Sequence, residues 1–164
     1  MDPHNATTFA GLPDLELMSR ITTRFLVAAL LGGLVGYERM RDNKSAGIRT
    51  HCLVALGAAM FTFVPLEFGM SPGDMGRVVQ GVATGIGFLG AGTILHFTEQ
   101  HRIEGLTTAA GIWLTAAAGM TVGAGWFCTA AFGVILAWAI LFFGQSVERR
   151  LHPTSPPPSS DKPA

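Results

Sequence analysis

Three glycines in the middle of this chain have the spacing of a phosphate-binding turn. Gly85, Gly87 and Gly90 spell G-x-G-x-x-G, a pattern in which bare backbone lets the pyrophosphate of a dinucleotide approach a helix N-terminus. Such a turn needs a strand before it, a helix after it and an acidic residue about 20 positions further on. Here an uncharged helical run both precedes and follows the glycines, and Glu104 lies beyond its end. We therefore interpret these glycines as helix-packing residues.

Charged and polar side chains at the ends of apolar runs are the other candidates for chemistry. Glu38, Arg39 and Arg49 flank one loop, and an ionisable group at membrane depth is a functional candidate by default. We expect Arg49 to pair with Glu38, although the same charges could serve only to orient the chain. A polar seam through the apolar segments, or simple interhelical hydrogen bonding, could use a further set: Gln80, Thr84, Thr107, Thr108 and Thr115.

Catalytic and metal-binding patterns are missing from the sequence. Cys52 and Cys128 lie in apolar runs without metal-ligand spacing, and nothing resembles a catalytic triad or a paired-carboxylate site. Magnesium prefers oxygen ligands, but the spacing of Asp14, Glu67 and Asp74 does not support a magnesium site. We expect no enzymatic activity, no cofactor and no resident metal.

The composition places these residues in a membrane. Only 13% of the residues are charged while 49% are hydrophobic, whereas a soluble domain carries about 25% charged residues. So few charges could not cover the surface of a single domain in water, so the lipid bilayer is the expected surrounding. The net charge of zero gives no reason to expect a nucleic-acid partner.

The spacing of the charges predicts an all-α, polytopic transmembrane bundle. A crossing needs about 20 apolar residues, and the last apolar run is long enough to cross twice with a turn at residues 123–125. The predicted spans are 16–37, 51–68, 78–97, 106–122 and 126–144. The bias of Lys and Arg between the loops predicts an outside N-terminus and a cytoplasmic C-terminus. The predicted domains are a flexible segment 1–14, a transmembrane domain 15–150 and a disordered Pro/Ser-rich tail 151–164.

Small residues inside the spans predict close helix contacts. Helices in lipid gain little hydrophobic energy from associating, so they need the close backbone approach that small residues permit. We expect the third span to be the central helix, with lipid facing a stripe that includes Val82 and Ile86. The fourth span places Thr108, Gly111, Thr115 and Ala118 or Gly119 on one stripe. The glycines assigned to packing are Gly81, Gly85, Gly87, Gly90, Gly92, Gly105 and Gly111.

An internal repeat could underlie the bundle. A shift of 58 residues aligns residues 47–50 with residues 105–108, giving G-[IL]-x-T at the start of both second helices. Spans one–two and three–four are then two parallel hairpins. Chance alignment of small apolar residues is the alternative.

Three segments carry a resemblance to a known family. The stretches GYERMRDNKSAGIRTHCLVALGAAMF, VVQGVATGIGFLGAGTI and IEGLTTAAGIWLTAAAGM resemble, in order, the signatures of the MgtC/SapB bacterial membrane proteins. The resemblance covers about residues 25 to 140. It implies a bacterial inner-membrane protein with a role in magnesium homeostasis, in growth at low magnesium and, in pathogens, in virulence through survival inside macrophages. It also implies restraint of the F-type ATP synthase.

By the same resemblance the functional positions include Glu38, Arg39, Arg49, Thr50 and Thr108. Family members usually have asparagine after R-T, whereas this chain has His51, and many continue into an ACT-like C-terminal domain where this chain has its proline-rich tail. We expect a non-enzymatic regulator that binds another membrane protein or forms a homodimer. The alternative is a small ion or solute transporter with a path near Glu38, Arg49, Gln80 and Thr84.

Overall fold

The computed structural model describes residues 14–97 and 102–151 and is almost wholly helical. The elements, in order, are α1 (Leu15–Arg41), α2 (Ile48–Glu67), α3 (Pro72–Gly92), β1 (Leu95–Phe97), β2 (Arg102–Glu104), α4 (Leu106–Gly123) and α5 (Phe127–Leu151). The strands β1 and β2 form a short antiparallel hairpin with Leu95 opposite Glu104. The predicted helical bundle is confirmed, and the hairpin was not predicted. The two predicted end segments lie, apart from residues 14 and 151, outside the described residues.

Four segments within these described ranges are long and apolar enough to cross a membrane: Leu15–Arg41, Ile48–Glu67, Leu106–Gly123 and Phe127–Gly144. They match four of the five predicted spans. Helix α3 has 21 residues, about 31 Å at 1.5 Å per residue, and is therefore long enough. It is not among the four, because its glycines and the polar Asp74, Arg77 and Gln80 leave it without a sufficiently apolar segment. Its crossing, the orientation of the chain and the duplication stay predictions.

The ends of α3 follow from local side chains. The Ser71 hydroxyl accepts a hydrogen bond from the Asp74 backbone N–H at 3.2 Å, which caps the first turn. At the other end the Thr93 hydroxyl donates to the Gly90 carbonyl at 2.8 Å. The prediction that this span continues to residue 97 is therefore wrong, because glycine-rich backbone has low helix propensity and Thr93 ends the helix.

The turn predicted at residues 123–125 is confirmed, and an arginine closes it. Gly125 has a φ of +89°, which glycine adopts without strain. Arg24 of α1 donates from Nη1 to the Gly123 carbonyl at 2.6 Å, and its guanidinium lies 5.0 Å from the centre of the Phe63 ring. A cation at the C-terminal end of α4 is favourable because helix carbonyls there carry partial negative charge.

Helices α2 and α4 form the centre of the bundle, and glycines of α1 and α4 lie against the backbone of α2. A Cβ on Gly32 of α1 would lie 2.5 Å from the carbonyl oxygen of His51, and one on Gly123 of α4 would lie 2.5 Å from that of Ala59. Gly36, one turn after Gly32, and Gly119, one turn before Gly123, also lie against the backbone of α2. This is the close contact that small residues allow in lipid.

The prediction that the third span is central is wrong. The prediction that Val82 and Ile86 face lipid is also wrong. Helix α3 packs chiefly against α4 and only lightly against α2. Ile86, assigned to the lipid-facing stripe, is buried in the cluster with Ala58, Ile112 and Ala116, and Val82 packs against that cluster. The apolar stripe makes the contacts inside the chain because its larger side chains bury more apolar surface than glycine can.

Candidate functional site

The candidate site is a cluster of polar side chains buried where α1, α2 and α4 meet. Glu38 and Arg39 come from the last turn of α1 and His51 from the first turn of α2, with exposed fractions of 6%, 1% and 0%. Thr108 and Thr115 of α4 are each 1% exposed. We call these five residues the polar cluster. Burying charges is costly unless they are hydrogen-bonded or paired, so their placement calls for a specific explanation.

One face of α4 positions the cluster. Thr108 and Thr115 are separated by two helical turns and lie on the same face, with Gly111 between them. The Arg39 Nη2 donates to the Thr108 hydroxyl at 3.1 Å, and His51 Nδ1 lies 2.7 Å from the Thr115 hydroxyl oxygen. Gly111 lies beside the imidazole, and a Cβ there would lie 3.5 Å from His51 Cε1, an ordinary contact distance.

Three buried atoms of the cluster have no hydrogen-bond partner among the described residues. They are Glu38 Oε2, Arg39 Nε and His51 Nε2. Glu38 and Arg39 are adjacent in sequence and opposite in charge, which lowers the cost of burying both. Asp42 lies one turn after Glu38, at the end of α1. The arrangement is that of a compact, nearly neutral polar core.

The structure brings together only part of the predicted polar set. Glu38, Arg39, His51 and Thr108 all belong to the polar cluster, and Thr115 of the predicted α4 stripe joins them. Arg49 is exposed and makes no ion pair with Glu38, so that expected pair is not formed. The remaining predicted polar residues are also exposed: Thr50, Gln80, Thr84 and Thr107.

Residues on α3 are separated from the cluster. The Thr84 hydroxyl donates to the Gln80 carbonyl of its own helix at 2.8 Å, which satisfies the hydroxyl without any contact to another helix. The predicted polar seam joining Gln80 and Thr84 to the threonines of α4 is therefore not formed, since Thr108 and Thr115 are buried and Gln80 and Thr84 are exposed. In the part of the chain that the structure describes, no group of three or more His, Cys, Asp or Glu side chains could hold a metal ion.

The glycines assigned to packing have three different surroundings. Gly90 and Gly111 have neighbours at ordinary contact distance, Ala109 and His51 respectively. Gly105 instead has a φ of +95° and caps the start of α4. For four others, a Cβ would meet no heavy atom of the described residues within 4 Å: Gly81, Gly85, Gly87 and Gly92. The structure therefore shows no helix of the described chain packed against these four glycines, as a central third span would require.

An apolar groove lies between α2 and α3. It measures about 550 Å³ and is lined by Gly57 and Phe61 of α2 and by Gly81, Gly85 and Leu89 of α3, among others. We call it the α2–α3 groove. Because Gly57, Gly81 and Gly85 have open space beside them, backbone forms part of its wall, and apolar side chains form the rest.

Sequence reasoning missed two features that a spacing rule could have found. Gly32 and Gly36 of α1, and Gly119 and Gly123 of α4, have the G-x-x-x-G spacing of helix pairs in lipid. Of these four, only Gly119 is named in a predicted stripe, that of α4. The second feature is Arg24 of α1, which donates a hydrogen bond to the Gly123 carbonyl at the end of α4. A lone arginine inside an apolar run could have suggested an internal partner.

Comparison with protein families matches residues 25–150 to the MgtC family. This chain belongs to the MgtC family. The matched range contains the polar cluster, both G-x-x-x-G pairs and the α2–α3 groove. Together with the four apolar helices, membership makes the chain a multi-pass protein of the bacterial inner membrane.

Several curated relatives are similar over most of the MgtC-family chain. SrpB of Synechococcus elongatus is 44% identical over 113 residues, 60% of this chain and 60% of SrpB. YhiD of Escherichia coli K12 is 39% identical over 126 residues, 72% of this chain and 57% of YhiD. MgtC of Salmonella typhimurium is 39% identical over 139 residues, 84% of this chain and 58% of MgtC. The chain therefore spans less than two thirds of the length of these relatives, and no solved structure matches it.

Proposed function

We propose that this MgtC-family chain is a non-enzymatic membrane protein that binds and modulates another membrane protein. The proposed role is adaptation to low magnesium and, in a pathogen, intracellular survival. The observation that supports binding is the α2–α3 groove, where the glycines of α3 have no neighbour within the described chain. An inner-membrane protein that exposes bare backbone to lipid has a surface suited to another helix.

The physical argument concerns what a helix gains by entering the groove. Lipid tails are as apolar as leucine, so the gain is close van der Waals packing, which requires small residues on at least one side. Gly81 and Gly85 are one helical turn apart and supply that side. The proposed occupants are a helix of a second copy, giving a homodimer, or a helix of the F-type ATP synthase.

A single substitution can block the groove without disturbing the chain. Gly85→Leu adds a side chain where no described atom lies within 4 Å, so the monomer should remain folded. Gly133→Leu is the matched control, because Gly133 of α5 also has no neighbour within 4 Å but lies away from the groove. The tagged full chain is cross-linked in bacterial membranes and purified in mild detergent, and copurified chains are identified by mass.

We expect the wild type and Gly133→Leu to retain a second copy or ATP synthase subunits, and Gly85→Leu to lose most of them. Equal capture by all three chains would contradict the proposal that the groove is the binding surface. Loss in both variants would show that the α5 surface matters as much, which also contradicts it.

Transport is the second candidate, because Glu38 and Arg39 are buried within an apolar bundle and buried membrane charges often mark ion paths. The relative YhiD is named as a candidate magnesium transporter. Against a path along Glu38, Arg49, Gln80 and Thr84, the last three are exposed. Magnesium flux into liposomes containing the purified chain tests it. Transport is favoured over regulation if the flux exceeds that of empty liposomes and if Glu38→Gln abolishes the excess.

A further inference from the structure

Phe61 of α2 lines two adjoining apolar grooves. One is the α2–α3 groove of about 550 Å³. The other measures about 350 Å³ and is lined by residues of α2: Gly57, Met60, Phe61, Val64 and Pro65. Gly57 and Phe61 line both grooves, so the two share a wall, and the Phe61 side chain is exposed there. The surface is therefore one apolar groove with two branches.

The α2–α3 branch is about as long as one membrane leaflet is thick. Its lining on α3 extends from Val78 to Leu89, about 16 Å at 1.5 Å per residue. The hydrocarbon core of a bilayer is about 30 Å thick, so one leaflet contributes about 15 Å. Every lining residue is apolar or glycine, and α2 is long and apolar enough to cross a membrane. The branch therefore has the length and the surface of an acyl-chain site.

A charged pair lies at one end of this branch. Asp74 precedes Val78 by about one helical turn and lies on the same face of α3. Arg77 Nη1 donates to Asp74 Oδ1 at 3.2 Å, and both side chains are exposed. A guanidinium has more donors, and a carboxylate more acceptor sites, than this bond uses, so each can bind a further group. The end of the groove thus presents a cation and an anion side by side.

We propose that the two branches bind one phospholipid that has a zwitterionic headgroup. One acyl chain fills each branch, the phosphate accepts hydrogen bonds from Arg77, and the ammonium of the headgroup donates to Asp74. The acyl chains give the walls of the groove van der Waals contacts, and both headgroup bonds are charge-assisted. A helix is a single rod, whereas a phospholipid has two chains, which suits a groove with two branches.

The lipid is the occupant of the groove in a chain that has no partner. This site includes the groove used in the proposed function but does not rest on that function, because the lipid binds whether or not a partner exists. A partner helix that enters the α2–α3 groove must displace an acyl chain.

Native mass spectrometry of the purified full chain counts bound lipids directly. The chain is incubated in mild detergent with equal amounts of phosphatidylethanolamine, which is zwitterionic, and phosphatidylglycerol, which is anionic. Gly57→Leu adds a side chain to the wall that both branches share, and no described atom lies within 4 Å of the new Cβ. The control is Gly133→Leu on α5, which also meets open space and lines neither branch. Circular dichroism verifies that both variants keep the helix content of the wild type.

We expect the wild type and Gly133→Leu to retain one phosphatidylethanolamine per chain, and Gly57→Leu to lose most of it. Equal retention by all three chains would overturn the proposal. A wild type that appears as a lipid-free dimer would also overturn it, since a second copy would then fill the groove. A preference of the wild type for phosphatidylglycerol would contradict the zwitterionic headgroup.

Asp74→Asn tests the position of the headgroup. It removes the negative charge but keeps the backbone N–H that donates to the Ser71 hydroxyl. We expect the preference for phosphatidylethanolamine to disappear, because the acceptor of the ammonium is weakened while Arg77 still attracts any phosphate. An unchanged preference would show that the headgroup does not lie at the charged pair and would overturn the proposal.

Capture of a partner protein is a separate measurement, so the two proposals fail independently. A chain that retains the lipid but captures no partner would contradict the proposed function and support the lipid site. A chain that captures a partner but retains no lipid would do the reverse.

Discussion

The contact of Gly32 with α2 gives the sharpest test of how this bundle is held together. A Cβ at residue 32 would lie 2.5 Å from the His51 carbonyl oxygen and 2.8 Å from Ala55 Cβ. Favourable contacts between nonbonded atoms lie near 3.5–4.0 Å, so α1 would have to move by about 1 Å. Backbone atoms cannot rotate aside, so the strain must be relieved by separating the helices.

We expect Gly32→Ala to destabilise the protein by up to about 2 kcal/mol. Overpacking typically costs about 1–3 kcal/mol, and the greater helix propensity of alanine returns about 1 kcal/mol. The matched control is Gly85→Ala, where the new Cβ meets no described atom within 4 Å. The propensity gain acts alone there, so we expect stabilisation of up to about 1 kcal/mol.

Unfolding by SDS titration in mixed micelles, followed by circular dichroism, measures both effects on the same scale. The midpoint of Gly32→Ala should fall to a lower SDS fraction than that of the wild type, and the midpoint of Gly85→Ala should rise or stay unchanged. Opposite signs are the decisive result. If both variants shift in the same direction, then backbone contact between α1 and α2 does not govern the stability of the bundle.

Two further predictions concern the ends of α4. Arg24→Leu removes the hydrogen bond to the Gly123 carbonyl and the contact with the Phe63 ring. It should lower the free energy of unfolding by about 2–3 kcal/mol in the same titration. An unchanged midpoint would show that these two Arg24 contacts do not stabilise the bundle. Gly105→Ala places a side chain at a φ of +95° and against the Thr93 carbonyl, so its melting temperature should fall in mild detergent, and an equal melting temperature would contradict the assigned conformation.

The sequence predicted the helices well because the charges interrupt the apolar runs at definite places. Helix α4, predicted at 106–122, is found at Leu106–Gly123, and its predicted stripe is buried at Thr108, Gly111, Thr115 and Gly119. The glycine turn after it was also predicted. These features depend on local composition, which a single sequence contains in full.

The arrangement of the helices could not be predicted in the same way. The principle of close packing through small residues held, but several helices carry glycines, and spacing alone does not say which pair meets. Gly85 belongs to the most glycine-rich helix and faces open space, whereas Gly32 and Gly119 lie against α2. Whether a glycine is buried depends on which helix packs against it, and that helix is determined by the packing of the whole bundle.

The grouping of the polar side chains in the candidate site could not be predicted from the sequence either. Glu38, Arg39 and Thr108 could be named from their types, but their grouping depends on a contact between α1 and α4. The expected Glu38–Arg49 pair failed because Arg49 occupies an exposed position at the start of α2, while Arg39, adjacent to Glu38, is turned inward to Thr108. A hydrogen bond between residues 69 positions apart leaves no periodic signal in the sequence.

His51 takes part both in the close contact between α1 and α2 and in the polar cluster. Its backbone carbonyl is the surface against which Gly32 of α1 rests, while its side chain bonds to Thr115 of α4. A larger residue at position 32 would therefore push α2 away from α1 at the very residue whose ring must reach α4. Because the Nδ1 to Thr115 distance is only 2.7 Å, a displacement of about 1 Å would strain or break that bond. The absence of a side chain at Gly32 thus positions the imidazole, and the polar cluster depends on the helix contact as much as on its own hydrogen bonds.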